Sequence, residues 1–430
     1  MYNTVKPLPE QLQWADMELG VIIHLCMDIY NPAFNEIKTE KVREYLPAKN
    51  FNPISLDTDQ WIKAASDMGA KYAVLVANHC TGFSLWPTKL DNYSVKASPW
   101  KEGKGDIVAD FIKSCEKFKL KPGLYYSTGC NGYYGINDDH PDYNSQRYKD
   151  YVKVVEAQVK ELWSEYGDLF EIWFDGGVVP VALGGPLLVP ILEKYQPNAI
   201  CFQGPKEHNK NVRWVGNENG MAPEDCWSTA VVNSVSFDGT GRDELKGKGN
   251  PDGKYWIPAE TDMANRTQGA FGGGWMWKVG EEDKVYSTDK LMECYYTSVG
   301  RNSNLLMGMA INDNGLFEDY KQLEDFGNQI KKIFEKPLAQ ISGEGYIHTI
   351  TFENSTKINH VVIRENIENG QHIRKFIVEA ETSEGTINLC FGECIGHKRI
   401  IKTDNISVKS VTLKILQSVE TPLIRDMIVY

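Results

Sequence analysis

The stretch Glu171-Ile172-Trp173-Phe174-Asp175-Gly176-Gly177 ends a short apolar run on a carboxylate followed by two glycines. A strand, an acid and a glycine turn together place Asp175 at a strand's C-terminal end, where α/β folds keep their chemistry. Taken alone, such an Asp is equally a turn-capping residue. The pattern repeats, however, because other buried runs finish on His24, His79, Ser127, Glu218 (just beyond Gly216-Asn217) and Glu260. Two carboxylates from different strands, joined by histidines and tryptophans, are the equipment for cleaving a glycosidic bond. One carboxylate attacks the anomeric carbon. The other, protonated through burial and a neighbouring negative charge, releases the leaving oxygen. Imidazoles and indole N–H groups bind sugar hydroxyls, and an indole face packs on the C–H surface of a sugar ring.

These residues need a frame that brings strand ends together. Apolar runs of strand length occur at residues 20–24, 72–77, 122–127 and 169–174, separated by helical periodicity at 58–68, 107–120 and 145–166. That alternation predicts parallel βαβ units with right-handed crossovers. Further strands are expected at 199–202, 212–216, 255–259 (with Glu260 at its end) and 304–309, with helices at 287–298 and 316–334. Eight units predict a (β/α)8 barrel over residues 1–336. After Pro337 the runs become short, alternating and β-branched, which predicts a C-terminal β-sandwich over residues 337–430. The join at Glu335-Lys336-Pro337-Leu338 has no Gly/Ser run that would let the two parts tumble freely.

The composition excludes several classes. A net charge of −12 argues against nucleic acid or an anionic membrane surface as partner. No apolar stretch is long enough to span a membrane, and the polar N-terminus lacks a signal peptide's hydrophobic region. No GxGxxG or GxxxxGK[ST] follows the first strand, so no nucleotide cofactor is expected. The 9 cysteines lack CxxC or zinc spacing and the 8 histidines form no HExxH, so no metal site is expected either. Eleven tryptophans and 21 tyrosines suit a glycan partner. Oligomeric state is not legible.

Residues 69–127, with Asn78-His79-Cys80-Thr81-Gly82-Phe83 and Lys121-Pro122-Gly123-Leu124-Tyr125-Tyr126-Ser127, resemble the α-L-fucosidases of glycoside hydrolase family 29. So do Trp173-Phe174-Asp175-Gly176, Arg213-Trp214-Val215-Gly216-Asn217-Glu218, Trp256-Ile257-Pro258-Ala259-Glu260 and Val299-Gly300-Arg301-Asn302. The resemblance covers nearly the whole chain. It implies a retaining exo-hydrolase for terminal α-L-fucose on oligosaccharides or glycans, needing no cofactor. The Gly-Asn-Glu form of the sixth-strand motif resembles the branch that prefers α-1,3/1,4 linkages. By the same resemblance Asp175 is the nucleophile and Glu218 the acid/base. His24, His79, Tyr125 and Trp173 face the sugar, with Cys80, Trp214 and Glu260 beside them. Glu260 is the rival acid, ranked second as a supporting carboxylate.

Two departures bear on the pocket. The family usually carries a His-His pair followed by Asp where this chain has His79-Cys80-Thr81, and no Glu-Trp-Gly follows His24-Leu25-Cys26-Met27. The alternative is therefore an α-L-galactosidase acting on L-galactose or a 6-substituted form by the same mechanism. A second alternative is a catalytically silent carbohydrate-binding protein. The pairing of Asp175 with Glu218 argues against that, since binding alone needs no such pair.

Overall fold

The computed structural model describes residues 5–31, 46–136, 142–236, 239–267 and 274–430. Eight strands form the centre: β1 (Leu19–His24), β2 (Tyr72–Asn78), β3 (Lys121–Tyr126), β4 (Glu171–Trp173), β5 (Ile200–Phe202), β6 (Asn211–Trp214), β7 (Ala259–Met263) and β8 (Ser303–Ala310). All neighbouring pairs are parallel, and β8 closes against β1 with Leu19 opposite Leu305. The expected barrel is thus a closed eight-stranded one.

Helices α1 (Pro9–Met17), α2 (Thr58–Met68), α3 (Ile107–Phe118), α4 (Gln146–Glu165), α5 (Val189–Tyr195), α6 (Thr288–Thr297) and α7 (Tyr320–Phe334) surround it. Their starts are set by side-chain caps. Asp57 accepts from the Asp59 and Gln60 amides, Asp106 from Ala109, Ser145 from Tyr148 and Ser287 from Lys290. The apolar face of α2 (Trp61, Ile62, Ala65, Met68) is buried against the barrel wall.

Two elements differ from expectation. Helix α1 has no strong sequence signal, yet Trp14 on it is buried and closes the floor of the barrel. The Trp14 carbonyl accepts from Asn304 Nδ2 at 2.8 Å, while Gln11 Nε2 donates to the Trp256 carbonyl at 3.0 Å. The seventh strand is shifted. Residues 255–256 form a two-residue pairing with Thr229–Ala230 outside the barrel, and the barrel strand begins only after Pro258. Glu260 is therefore the second residue of β7 and not its terminal one. The apolar run misleads because Ala259-Glu260-Thr261-Asp262-Met263 turns two carboxyl groups inward, against the usual rule for buried parallel strands.

The C-terminal part is a single antiparallel sheet of six strands: β9 (Ala339–Glu344), β10 (Ile347–Glu365), β11 (Ile373–Thr382), β12 (Gly385–Gly392), β13 (Arg399–Ser418) and β14 (Leu423–Val429). Their order is β9-β14-β10-β13-β11-β12. Strands β10 and β13 are long and pass through register shifts near Thr351/Thr356 and Ile358/His360. Such irregularities bend a strand, and residues from both halves of the pair (Ile350, Ile358, Val361, Val411, Leu413) share one core with Phe376 and Met427.

This sheet grips the barrel through apolar and polar contacts. Phe334 of α7 meets His360 and Tyr430, and His360 Nε2 lies 2.9 Å from the Tyr296 hydroxyl. Asn302, in the turn before β8, adopts φ 61°, a conformation that Asn tolerates better than most residues. Its Nδ2 donates to the Cys226 carbonyl at 2.7 Å and to Ser228 Oγ, and its Oδ1 accepts from the His397 amide at 2.7 Å. Asp225 Oδ1 accepts from the Glu393 and Cys394 amides, and Arg301 Nη1 donates to the Ala222 carbonyl. Residues 222–228, downstream of Glu218, are thereby held by the turn before β8 and by the β-sheet part together.

Replacing Asn302 with Ala strands several of these buried partners at once. We expect a loss of roughly 2–4 kcal/mol of stability, measured by urea denaturation. A change below about 0.5 kcal/mol would refute the role assigned to Asn302.

Candidate active site

Asp175 lies two residues past the end of β4. The Phe174 amide donates to the Phe202 carbonyl, and Gly176 and Gly177 take positive φ values of 71° and 88°. A Cβ on Gly177 would stand 2.5 Å from the Val235 carbonyl oxygen, so the turn that aims Asp175 requires glycine there. The Asp175 side chain is exposed at the barrel mouth, and its Oδ2 accepts from the Tyr125 hydroxyl at 3.3 Å. Tyr125 itself is 2% exposed. Burial, with Asp175 alongside, raises its phenol well above the ordinary range, so it stays a donor.

Four rings from successive strand ends form a staircase. His79 stacks on Tyr125 at 5.8 Å, Tyr125 on Trp173 at 5.4 Å and Trp173 on Phe202 at 3.9 Å. Parallel strands β2 to β5 lie side by side, so equivalent positions bring these rings face to face. His24, at the end of β1, sits 6.2 Å from His79, centroid to centroid, and 5.4 Å from Trp275. Trp275 Nε1 donates to Glu218 Oε2 at 2.9 Å. A continuous path of contacts thus runs from Glu218 through Trp275, His24, His79 and Tyr125 to Asp175. Burial and the neighbouring His79 lower the His24 pKa to about 3, leaving its imidazole neutral in the ordinary working range.

Glu218 is exposed in the loop after β6, so the burial expected of the acid is not found there. It is found one strand over, on β7. Asp262 is 4% exposed and accepts from Trp214 Nε1 at 2.7 Å. Burial, reinforced by Glu218, Glu260 and Asp175, holds its carboxyl well above the usual range. Sequence reading missed Asp262 and Trp275. Asp262 was detectable as the i+2 partner of Glu260 on one strand face. Trp275 had no such signal, since it comes from a long connection after β7. Its seat depends on Gly308 of β8, where a Cβ would lie 2.8 Å from the indole.

Glu260 is brought elsewhere. It is fully buried inside the barrel, accepting from Tyr72 Oη at 2.8 Å and from Trp173 Nε1 at 3.0 Å. Glu171, also fully buried, accepts from Trp14 Nε1 at 3.3 Å and faces Glu260. Burial and the Glu260 charge push Glu171 well above the usual range, making it the protonated partner that donates to Glu260. Glu260 is itself pushed up to about 7 by burial, against the hydrogen bonds it accepts. Glu260 therefore holds the Trp173 indole from beneath.

Cys80 is half-buried, with its carbonyl accepting from the Gly132 amide and the Cys130 thiol. Thr81 is buried, and its Oγ1 accepts from the Phe83 amide, so Cys80 and not Thr81 remains at the mouth.

The family model described as Alpha-L-fucosidase matches residues 6–333. The Arabidopsis thaliana protein Alpha-L-fucosidase 1 is 28% identical over 456 residues, covering 96% of this chain and 85% of that one. A Bacteroides thetaiotaomicron crystal structure assigned as an α-L-fucosidase superposes with a TM-score of 0.91 at 35% identity, over 100% of this chain and 99% of that one. A Ruminococcus gnavus fucosidase of glycoside hydrolase family 29, crystallised with fucose, shares the fold at 23% identity with a TM-score of 0.79, over 99% and 95% of the two chains.

The buried pair sets a pH dependence. Both carboxyls hold their protons more tightly folded than unfolded, so stability falls as pH rises from about 4.5 through about 7. Gln at position 171 imitates the protonated acid, keeping an acceptor for Trp14 and a donor for Glu260. We expect Glu171→Gln to match the parent's melting temperature at pH 5 and to exceed it by a few degrees at pH 8. Parallel melting curves at all pH values would refute the shared proton.

Proposed function

Because the chain belongs to the α-L-fucosidase family, glycoside hydrolase family 29, we propose that it removes terminal α-1,3/1,4-linked L-fucose from oligosaccharides or glycans with retention of configuration. Asp175 attacks the anomeric carbon to give a glycosyl ester while Glu218 protonates the departing oxygen. Glu218 then deprotonates the water that releases the sugar. The observation that carries this reading is the contact path from Glu218 to Asp175, which lines one mouth with two exposed carboxylates, two imidazoles and an aromatic wall. Buried Asp262 feels both carboxylates, and burial together with their charge holds its carboxyl well above the usual range, which disfavours a further negative charge beside the nucleophile. The Tyr125 hydroxyl, bonded to Asp175, holds the attacking oxygen in place.

A second reading keeps the mechanism and changes the sugar. Half-exposed Cys80 stands where the family resemblance leads one to expect a second imidazole, and a thiol is smaller and a weaker donor. The space suits the hydroxymethyl or substituted C6 of an L-galactose unit. This reading is tested by comparing aryl α-L-fucoside with aryl α-L-galactoside in the parent and in Cys80→His. We expect Cys80→His to shift preference toward fucose, by the two- to tenfold or so that one neutral hydrogen bond supplies. An unchanged ratio removes Cys80 as the determinant.

The mechanism is tested by the two carboxylate variants. Asp175→Ala should lose several orders of magnitude in kcat on every substrate, because nothing replaces the attacking group. Glu218→Ala should lose far less on substrates with good leaving groups, and azide should restore turnover to a product of retained configuration. Near-normal turnover by Asp175→Ala, or an inverted first-formed sugar in the NMR spectrum, would sink the proposal.

A further inference from the structure

Behind the mouth, the turn after β1 and the end of β2 bring three dissimilar donors together. Cys26 precedes a short helical turn, Met27–Tyr30, that carries Asp28, and β2 lies beside β1 and runs into His79. The Cys26 thiol, an Asp28 carboxylate oxygen and a His79 ring nitrogen all lie within 4.8 Å of one another. Cys26 and Asp28 are 4% and 6% exposed, and the His79 Nδ1 is shielded while the residue as a whole is half-buried. The thiols of Cys80 and Cys130, like that of Cys26, lie close enough to the Tyr125 phenol to act on it electrostatically.

The spacing Cys26-x-Asp28 with a distant His79 matches no linear metal motif, so only folding assembles the set. One thiolate, one imidazole and one carboxylate with a fourth position open is the ligand mixture of tetrahedral zinc. A tetrahedral ion holds such atoms on the order of 3.5 Å apart, which the trio reaches by small side-chain movements. Hard cations such as Mg2+ prefer six oxygens and fit poorly.

We propose that Cys26, Asp28 and His79 form a binding site for a thiophilic divalent cation of the zinc class, and that its occupancy fixes the His79 ring for the sugar. The second half rests on His79 being a sugar contact, as the proposed function has it. Ligation through one ring nitrogen leaves the other, as N–H, to donate toward a hydroxyl. Binding displaces the Cys26 proton to solvent as the metal–sulfur bond forms, so affinity rises with pH.

The test titrates the chelator-treated full chain with Co2+ and reads the visible and near-ultraviolet spectrum. One Co2+ per chain with a thiolate-to-metal charge-transfer band, displaced by Zn2+, is expected. Cys26→Ala should abolish the band. Asp28→Asn should weaken binding by more than the roughly 10–100-fold that outer-shell partners are worth. Absence of the band, or its loss in Cys80→Ser but not in Cys26→Ala, overturns the site. Zn2+ should then lower KM for an aryl fucoside roughly two- to tenfold, the range of one hydrogen bond, with kcat little changed and no effect in Cys26→Ala. A bound ion that leaves KM unmoved keeps the site and overturns its link to the sugar.

Discussion

A carboxyl group taken into a barrel interior must be given donors or a proton; this chain answers three such groups with an indole and repeats the pairing at exposed Glu218. Trp14 donates to Glu171, Trp173 to Glu260, Trp214 to Asp262 and Trp275 to Glu218. The acids occupy the first position of β4, the second and fourth of β7, and the loop after β6. The series thus runs from the closed floor to the open mouth. At the floor burial is complete and a proton is retained. At the mouth water reaches Glu218. The same pairing that makes the core tolerable therefore places the aromatic walls of the site, because each donating indole is held at a fixed angle by its acid.

The aromatic staircase is the second consequence. Trp173 is fixed at its N–H by Glu260 and on one face by Phe202, so its other face presents to Tyr125 and, through Tyr125, to Asp175. A ring locked on three sides gives up little freedom on binding, which is the preorganisation that the proposed function would draw on.

The β-sheet part belongs to this architecture as more than an appendage. Residues 222–228 follow Glu218, and Arg301, Asn302 and the backbone amides of Glu393 and Cys394 hold them. The exposed carboxylate thus sits in a loop whose far end is anchored by both parts of the chain. Asp175, in contrast, is aimed by its own strand and a two-glycine turn. The two carboxylates reach one mouth by different means, one locally encoded and one dependent on long-range contacts.

That difference marks what could be read in advance. Alternating apolar runs and helical periods revealed the closed barrel and the later β-rich part, since both patterns are local and strong. Asp175 was legible because strand, acid and glycine pair follow one another in sequence. Tertiary structure decided the rest. The seventh strand was misplaced because 255–257 is apolar while Ala259–Met263 is polar, and only Tyr72, Trp173 and Trp214 from other strands make those acids tolerable inside. Helix α1 owes its place to the barrel floor that Trp14 fills. Asp262, Trp275 and the Cys26–Asp28–His79 trio acquire their neighbours only on closure of the barrel. Local order is written in neighbouring residues. Burial, proton affinity and the company a side chain keeps are set by residues about fifty to nearly two hundred positions away.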